Sequence, residues 1–362
     1  MFQLTRAFKI VIVSSLAFVA NLYADENVEE IVVKGKVLYS DQVKALKTPT
    51  AIIDVPQSLS IVTDEDIRKQ GIREIGDIVR YTPGVNTSQG EGHRDAVVFR
   101  GVRSTADFYQ DGARDDVQYY RSLYNVDQVE ILRGPNALLF GRGGTGGIIN
   151  RVTKKAQVGE QFGSFDIGAD DFGAFDVAFD YNTATGDNSA FRLNVHSDSL
   201  ENHRDMYDGD RVGFNPTVRV QMSDATTLDL SYEYADHERF IDRGIPTANG
   251  KPVEALKDVV FGTSDINLTT LEADIFRGTL TTELSDTSKA IFSLTSSEFE
   301  KLYQNLYASG YDLATNVVTL DGYRDPTERE NLIFSANLVN ELQIGGATHT
   351  LLLGAEVVDT DN

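Results

Sequence analysis

The chain has 362 residues, with 33 basic against 55 acidic side chains, a net charge of −22 and a pI near 4.6. This balance excludes a nucleic-acid binder that relies on a basic surface. The absence of cysteine excludes disulfides, thiolate metal sites and cysteine nucleophiles, and five scattered histidines offer no dense imidazole metal site. With 15 Tyr, 19 Phe, 30 Gly and only 8 Pro, the chain suits many strands joined by turns.

Residues 1–24 have the three-part form of a secretory signal: basic Arg6 and Lys9, an apolar run from Ile10 to Val19, and small Ala24 before Asp25. The run is far shorter than the roughly 20 apolar residues a spanning helix requires. The protein is therefore expected to be exported, and any membrane crossing must use strands. Residues 25–47 read as an extended leader.

From 48 to 157 the chain is mixed α/β and rich in Gly and Arg. Val55–Val62 reads as a strand. Thr63 then precedes Asp64-Glu65-Asp66, a capped, acidic helix start. Ile67, Ile72, Ile75, Ile78 and Val79 have helical spacing, broken at Gly71 into two short helices. Short strands are expected at 96–99, 108–110, 129–132 and 147–152.

From 158 onward the apolar period becomes two. Phe175, Val177, Phe179 and Tyr181 alternate with polar or small residues, as do Leu228, Leu230, Tyr232 and Tyr234. About nine strands are expected, at 162–170, 171–182, 189–199, 211–222, 226–236, 268–285, 288–303, 327–342 and 347–358. Tight turns alternate with long connections at 202–210, 236–265 and 304–327, the pattern of an outer-membrane barrel. A soluble β-sandwich shares the alternation, but its strands are usually shorter and its loops need not alternate in length. Single-chain bacterial barrels have even strand numbers, so nine strands ending near Asn362 read as the first part of a longer barrel.

One stretch is highly specific: Val129-Glu130-Ile131-Leu132-Arg133-Gly134-Pro135, followed by Phe140-Gly141-Arg142-Gly143-Gly144-Thr145-Gly146-Gly147 and Ile148-Ile149-Asn150-Arg151-Val152-Thr153. It resembles the end of the plug domain of TonB-dependent outer-membrane receptors, and its wording is nearest the ferric-siderophore branch. Tyr81-Thr82-Pro83-Gly84-Val85, Phe99-Arg100-Gly101 and Asp111-Gly112 occur in the family's order, and Glu29-Glu30-Ile31-Val32-Val33 resembles a TonB box. Gly141 to Gly146 also fits the dinucleotide fingerprint G-x-G-x-x-G. That fingerprint requires a helix afterwards, whereas the residues that follow are β-formers.

The resemblance implies an α+β plug inside a transmembrane antiparallel β-barrel of about 22 strands. It implies a transporter rather than an enzyme, in the Gram-negative outer membrane beside lipopolysaccharide. The cargo is expected to be a ferric siderophore that carries its own iron, so no cofactor or protein metal site is expected. Cobalamin, haem or an oligosaccharide would suit the same architecture, and a barrel enzyme or adhesin would leave the plug motifs without a role. TonB is the implied partner, meeting residues 29–35 through Glu30, Ile31, Val32 and Val33 by strand addition. The stretch between Asp25 and Thr48 is too short for an added signalling domain.

In the family, Arg100 and Arg133 correspond to plug arginines that pair with barrel glutamates. Ligand contacts are expected at outward plug apices, from Arg94, Arg103, Arg114, Tyr119, Tyr120 and Arg121. Cations and phenols suit anionic aromatic catecholates, although residues 91–121 hold five Arg against six acids. Asp205–Asp210 lacks the spacing of a calcium loop.

Overall fold

The computed structural model describes residues 43–362 apart from 49, 51, 53, 54, 89, 136–139 and 141–143. The signal sequence and the expected partner strand at Glu30, Ile31, Val32 and Val33 lie outside the described residues.

The first part is an α+β domain. Strand β1 (Ser58–Thr63) runs into helix α1 (Asp64–Gln70). Thr63 Oγ1 accepts from the Asp66 backbone N–H at 3.2 Å, and the Asp66 carboxylate accepts from the Thr63 N–H at 3.2 Å. This reciprocal cap satisfies donors that the first turn leaves open. Gly71, at φ +61°, ends the helix, and α2 (Ile75–Arg80) follows with Glu74 at its N-cap. Three short strands, β2 (Val85–Thr87), β3 (Val97–Phe99) and β4 (Val102–Ser104), form one small sheet. Strands β5 (Phe108–Gln110), β6 (Ala113–Arg114), β7 (Val126–Arg133) and β8 (Gly147–Thr153) join β1 in another, in the order β1-β7-β8-β5-β6.

Every residue of β8 is buried, because both faces of its sheet are covered. Ile131 and Ile149 face a core with Ile75, Ile78, Phe99 and Phe108; Leu132 and Ile148 face a second core with Val43, Ala45 and Tyr109. A strand, not a helix, follows the glycine run, which removes the dinucleotide reading. Gly147 is required where it stands: a Cβ there would lie 2.5 Å from the Leu132 carbonyl oxygen and 2.6 Å from the Phe99 ring.

The second part is a nine-stranded antiparallel sheet in sequential order. Its strands are β9 (Phe162–Ala169), β10 (Phe175–Gly186), β11 (Ser189–Glu201), β12 (Asp208–Ser223) and β13 (Thr226–Phe240). A two-residue pair, β14 (Thr247–Ala248) and β15 (Lys251–Pro252), decorates the next connection. Then come β16 (Leu268–Ser285), β17 (Ser288–Asp312), β18 (Val317–Ile344) and β19 (Ala347–Asp361). Cross-strand register lines up Phe191, Val218, Leu230, Gly278, Leu294, Phe334 and Val357 on one face. Of that row, Leu294, Phe334 and Val357 are exposed large apolar side chains, as a lipid-facing surface requires. The opposite face carries buried Asn194, Asn215, Glu233 and Arg277. Among the described residues no helix is long and apolar enough to cross a membrane.

Two expectations need correction. The strands expected at 288–303 and 327–342 are longer than that, since β17 has 25 residues and β18 has 28. Residues 304–327 are therefore not a loop: Gln304 pairs with Arg324 and Asp312 with Val317, so the hairpin continues far beyond the start of β16. In that extension Leu306, Tyr307 and Ala308, and again Val317 and Val318, fall in adjacent positions rather than at a regular period of two, which hides the strands. Asp208 and Asp210 likewise belong to β12 rather than to a loop.

Candidate functional site

The α+β domain meets the sheet across a seam of buried charge, beside which Val117 and Tyr119 pack on Ala235, Leu271, Ala273, Ile275 and Phe299. At its centre Asp115 Oδ2 accepts from Arg121 Nε at 2.8 Å, Arg151 Nη2 at 2.8 Å and the Tyr119 hydroxyl at 2.9 Å. Arg151 Nη2 also reaches Gln110 Oε1 at 2.8 Å. Gln110 Nε2 donates to Glu233 on β13 at 2.8 Å, and Arg277 on β16 donates to the same carboxylate at 3.2 Å. The result is one continuous network from domain to sheet. A buried charge left without a partner is costly, so each member is held by the others. Burial alone would raise the Asp115 carboxyl, but Arg121 and Arg151 outweigh it and hold the group below the ordinary carboxylate range.

A second cluster is set by Glu74. Arg239 Nη2 on β13 donates to its carboxylate at 3.0 Å, and Arg211 on β12 lies 3.7 Å away while gripping Asp198. Burial pushes Glu74 up, yet Arg239 and Arg211 keep it below its ordinary value. Elsewhere Lys154 lies 3.2 Å from both Asp64 and Asp180, and Asp116 pairs with Arg329 on β18 at 2.9 Å. Lys301 Nζ donates to the Gln118 carbonyl at 3.0 Å.

The expected ligand residues separate into two groups. Arg94, Arg103 and Arg114 keep some exposure. Arg94 pairs with Glu91, Arg103 is exposed on β4 beside Gly90, and Arg114 Nη2 donates to the Ala106 carbonyl at 3.3 Å. The others turn inward. Tyr120 is half-buried, with the Arg239 guanidinium 4.1 Å over its ring. Tyr119 is buried in the central network. Arg121 is 1% exposed, 4.0 Å over the Phe108 ring, and donates to the carbonyls of Asp115, Val117 and Tyr119. Fully satisfied by its own domain, Arg121 holds the 115–121 segment in shape and has no donor to offer a ligand.

Arg100 and Arg133 belong to a separate part of the plug. Among the described residues neither pairs with a barrel carboxylate. Arg100 is exposed in the left-handed region at φ +47°, and Arg133 Nη1 donates to the Pro83 carbonyl at 2.8 Å. Burial, with Arg100 nearby, lowers the Arg133 pKa. The seam described here has the reverse polarity at two places: domain carboxylates Glu74 and Asp116 grip sheet arginines. Sequence reasoning missed Glu74, Asp115, Arg151, Arg211, Glu233, Arg239 and Arg277. A signal existed, because Arg211, Glu233, Arg239 and Arg277 all fall on the polar face of the strand alternation.

Residues 51–148 match the family model described as "TonB-dependent Receptor Plug Domain". The α+β domain is a TonB-dependent receptor plug. The chain is similar to the probable TonB-dependent siderophore receptor PiuA of Acinetobacter baumannii, 26% identical over 87% of this chain and 44% of that protein. It is also similar to the catecholate siderophore receptor Fiu of Escherichia coli K12, 30% identical over 58% of this chain and 28% of that protein. The solved structure of PiuA superposes with a TM-score of 0.82 at 24% identity, covering 89% of this chain and 48% of that one. The open form of Fiu gives 0.80 at 21%, covering 88% and 52%. These likenesses establish the plug-and-barrel fold. The chain spans less than half the length of these two relatives. TonB-dependent receptors are outer-membrane β-barrel proteins, and the nine strands supply part of such a barrel around one side of the plug.

Proposed function

We propose that this chain belongs to a receptor that takes up a ferric siderophore across the outer membrane, with the plug gating the barrel lumen. The observation that carries the reading is the plug–barrel seam. A domain with an apolar core of its own is fastened to the sheet through ion pairs, hydrogen bonds and one small apolar cluster at Val117 and Tyr119, contacts that can open without unmaking that core. The names of PiuA and Fiu as siderophore receptors support the cargo class. In this reading iron arrives inside its chelator, so the protein supplies contacts to the organic ligand and no metal-binding donors. Residues 29–35 add as a strand to a periplasmic partner, TonB, whose pull supplies the work. The family consists of transporters, and the plug motifs serve transport.

The test uses the full-length receptor in cells that lack their other iron receptors. Uptake of radioactive iron as a ferric siderophore is expected, and deletion of residues 29–35 should abolish uptake while leaving binding intact. Uptake that survives the deletion, or binding confined to haem or cobalamin, would overturn the reading.

A further inference from the structure

The plug segment 90–94 is fastened to the barrel by a small set of contacts that the seam does not include. The Tyr303 hydroxyl on β17 donates to the Glu91 carbonyl at 3.0 Å, and the Tyr323 hydroxyl on β18 donates to the Glu91 carboxylate. The His93 ring stacks on Tyr303 with centroids 3.7 Å apart and planes 18° from parallel. Gly90 and Gly92 take φ +60° and +79°, and a Cβ on Gly92 would press 3.4 Å from the Asp242 carbonyl oxygen.

The same Glu91 carboxylate pairs with Arg94. Arg94 is a cation expected to meet ligand, and its buried Nε has no partner among the described residues. One carboxylate thus holds a plug arginine and a barrel tyrosine together. The place is open to solvent: the Glu91 side chain is 32% exposed and Tyr323 is 39% exposed. Hydrogen bonds from Tyr323 and Arg94 keep the carboxyl below its ordinary range despite its partial burial, so it remains an anion. A guanidinium fork and a phenol are also the donors that would hold the chelating oxygens of an anionic ligand.

We propose that Glu91 is an internal stand-in for the ligand's anionic group: it occupies Arg94 and Tyr323 until an anionic ferric complex displaces it, and that displacement frees segment 90–94 from the β17–β18 hairpin. The idea rests on the uptake reading above and adds a competitor within the binding site. An internal competitor lowers apparent affinity by the fraction of time it fills the site. It also couples ligand arrival to release of the plug from the barrel.

The experiment compares wild type, Glu91→Gln and Tyr323→Phe in the full-length receptor. Tyrosine fluorescence reports binding of a ferric tris-catecholate, which is trianionic, and of a ferric trihydroxamate without negative charge. Glu91→Gln should tighten tris-catecholate binding about tenfold and leave the trihydroxamate within about threefold. An unchanged or weakened tris-catecholate affinity would overturn the stand-in role. Without any ligand, amide hydrogen exchange in 90–94 should rise in both variants; unchanged exchange would overturn the fastening. If neither complex binds any of the three proteins, the uptake reading falls and the stand-in role falls with it, while the exchange result still judges the fastening.

Discussion

The interior of the plug is apolar, whereas its seam with the barrel sets buried charge beside a smaller apolar cluster of Val117, Tyr119, Leu271, Ile275 and Phe299. Inside, Ile75, Ile78, Phe99, Phe108, Ile131 and Ile149 are almost wholly removed from water. At the seam, Asp115, Arg151, Gln110, Glu233 and Arg277 form a buried polar chain, with Glu74, Arg211 and Arg239 as a second cluster. Apolar burial is non-directional and adds up over area. Buried ion pairs contribute little net stability but fix geometry, and they fail abruptly when one partner is lost. The plug is therefore suited to remain folded while its attachment is adjusted.

Four substitutions break or sharpen this contrast. Phe99→Ala opens a cavity beside Gly147 and should cost about 3–5 kcal/mol of plug stability. Chemical denaturation should show the plug transition early, with the barrel transition unmoved. Glu74→Ala removes a shared partner of Arg211 and Arg239 and should cost about 2–4 kcal/mol at the seam. The core should be spared, so limited proteolysis would cut around the plug before the plug itself unfolds. Because the folded Glu74 pKa is lowered, its contribution is present above the ordinary carboxylate range and is lost as pH falls through its folded value. Acid should loosen wild type at the seam, and the Ala variant should lack that component.

Asp95 carries the opposite sign. Burial raises its pKa from 3.8 to about 6, against the pull of Arg121. Its contribution is therefore full at low pH and is lost as pH rises through that window. Asp95→Asn should flatten a fall on the order of 2 kcal/mol between about pH 4 and pH 6, read by denaturation at a series of pH values. Thr63→Ala removes the α1 cap and should cost about 1 kcal/mol, local to residues 63–70, seen as faster amide exchange there alone.

Much of the fold was legible in the sequence because its period is enforced by water and lipid. The alternation at Phe175–Tyr181 and Leu228–Tyr234 located β10 and β13, and Thr63 before three acids located α1. The extension of β17 and β18 was hidden, since residues 306–308 and 317–318 place apolar side chains in adjacent positions and break the period of two. The site was less legible. Pairing across the seam depends on register between segments more than a hundred residues apart, as for Gln110 and Glu233. Arg121, between Tyr120 and Ser122, reads as a ligand contact at an apex; its burial follows only once Phe108 lies beneath it. Arg94 and Tyr120 stay near the places the apices suggested, but Glu91 and Arg239 already engage them.

The central claim is that the plug is fastened by specific charge pairs to the sheet. A double-mutant cycle at Glu74→Gln and Arg239→Gln, read by the free energy of plug release in the full-length receptor, tests it most directly. The account predicts that the two losses fall short of adding, with a coupling above about 1 kcal/mol. Additivity within about 0.5 kcal/mol would mean that the pair carries no shared energy and would contradict it.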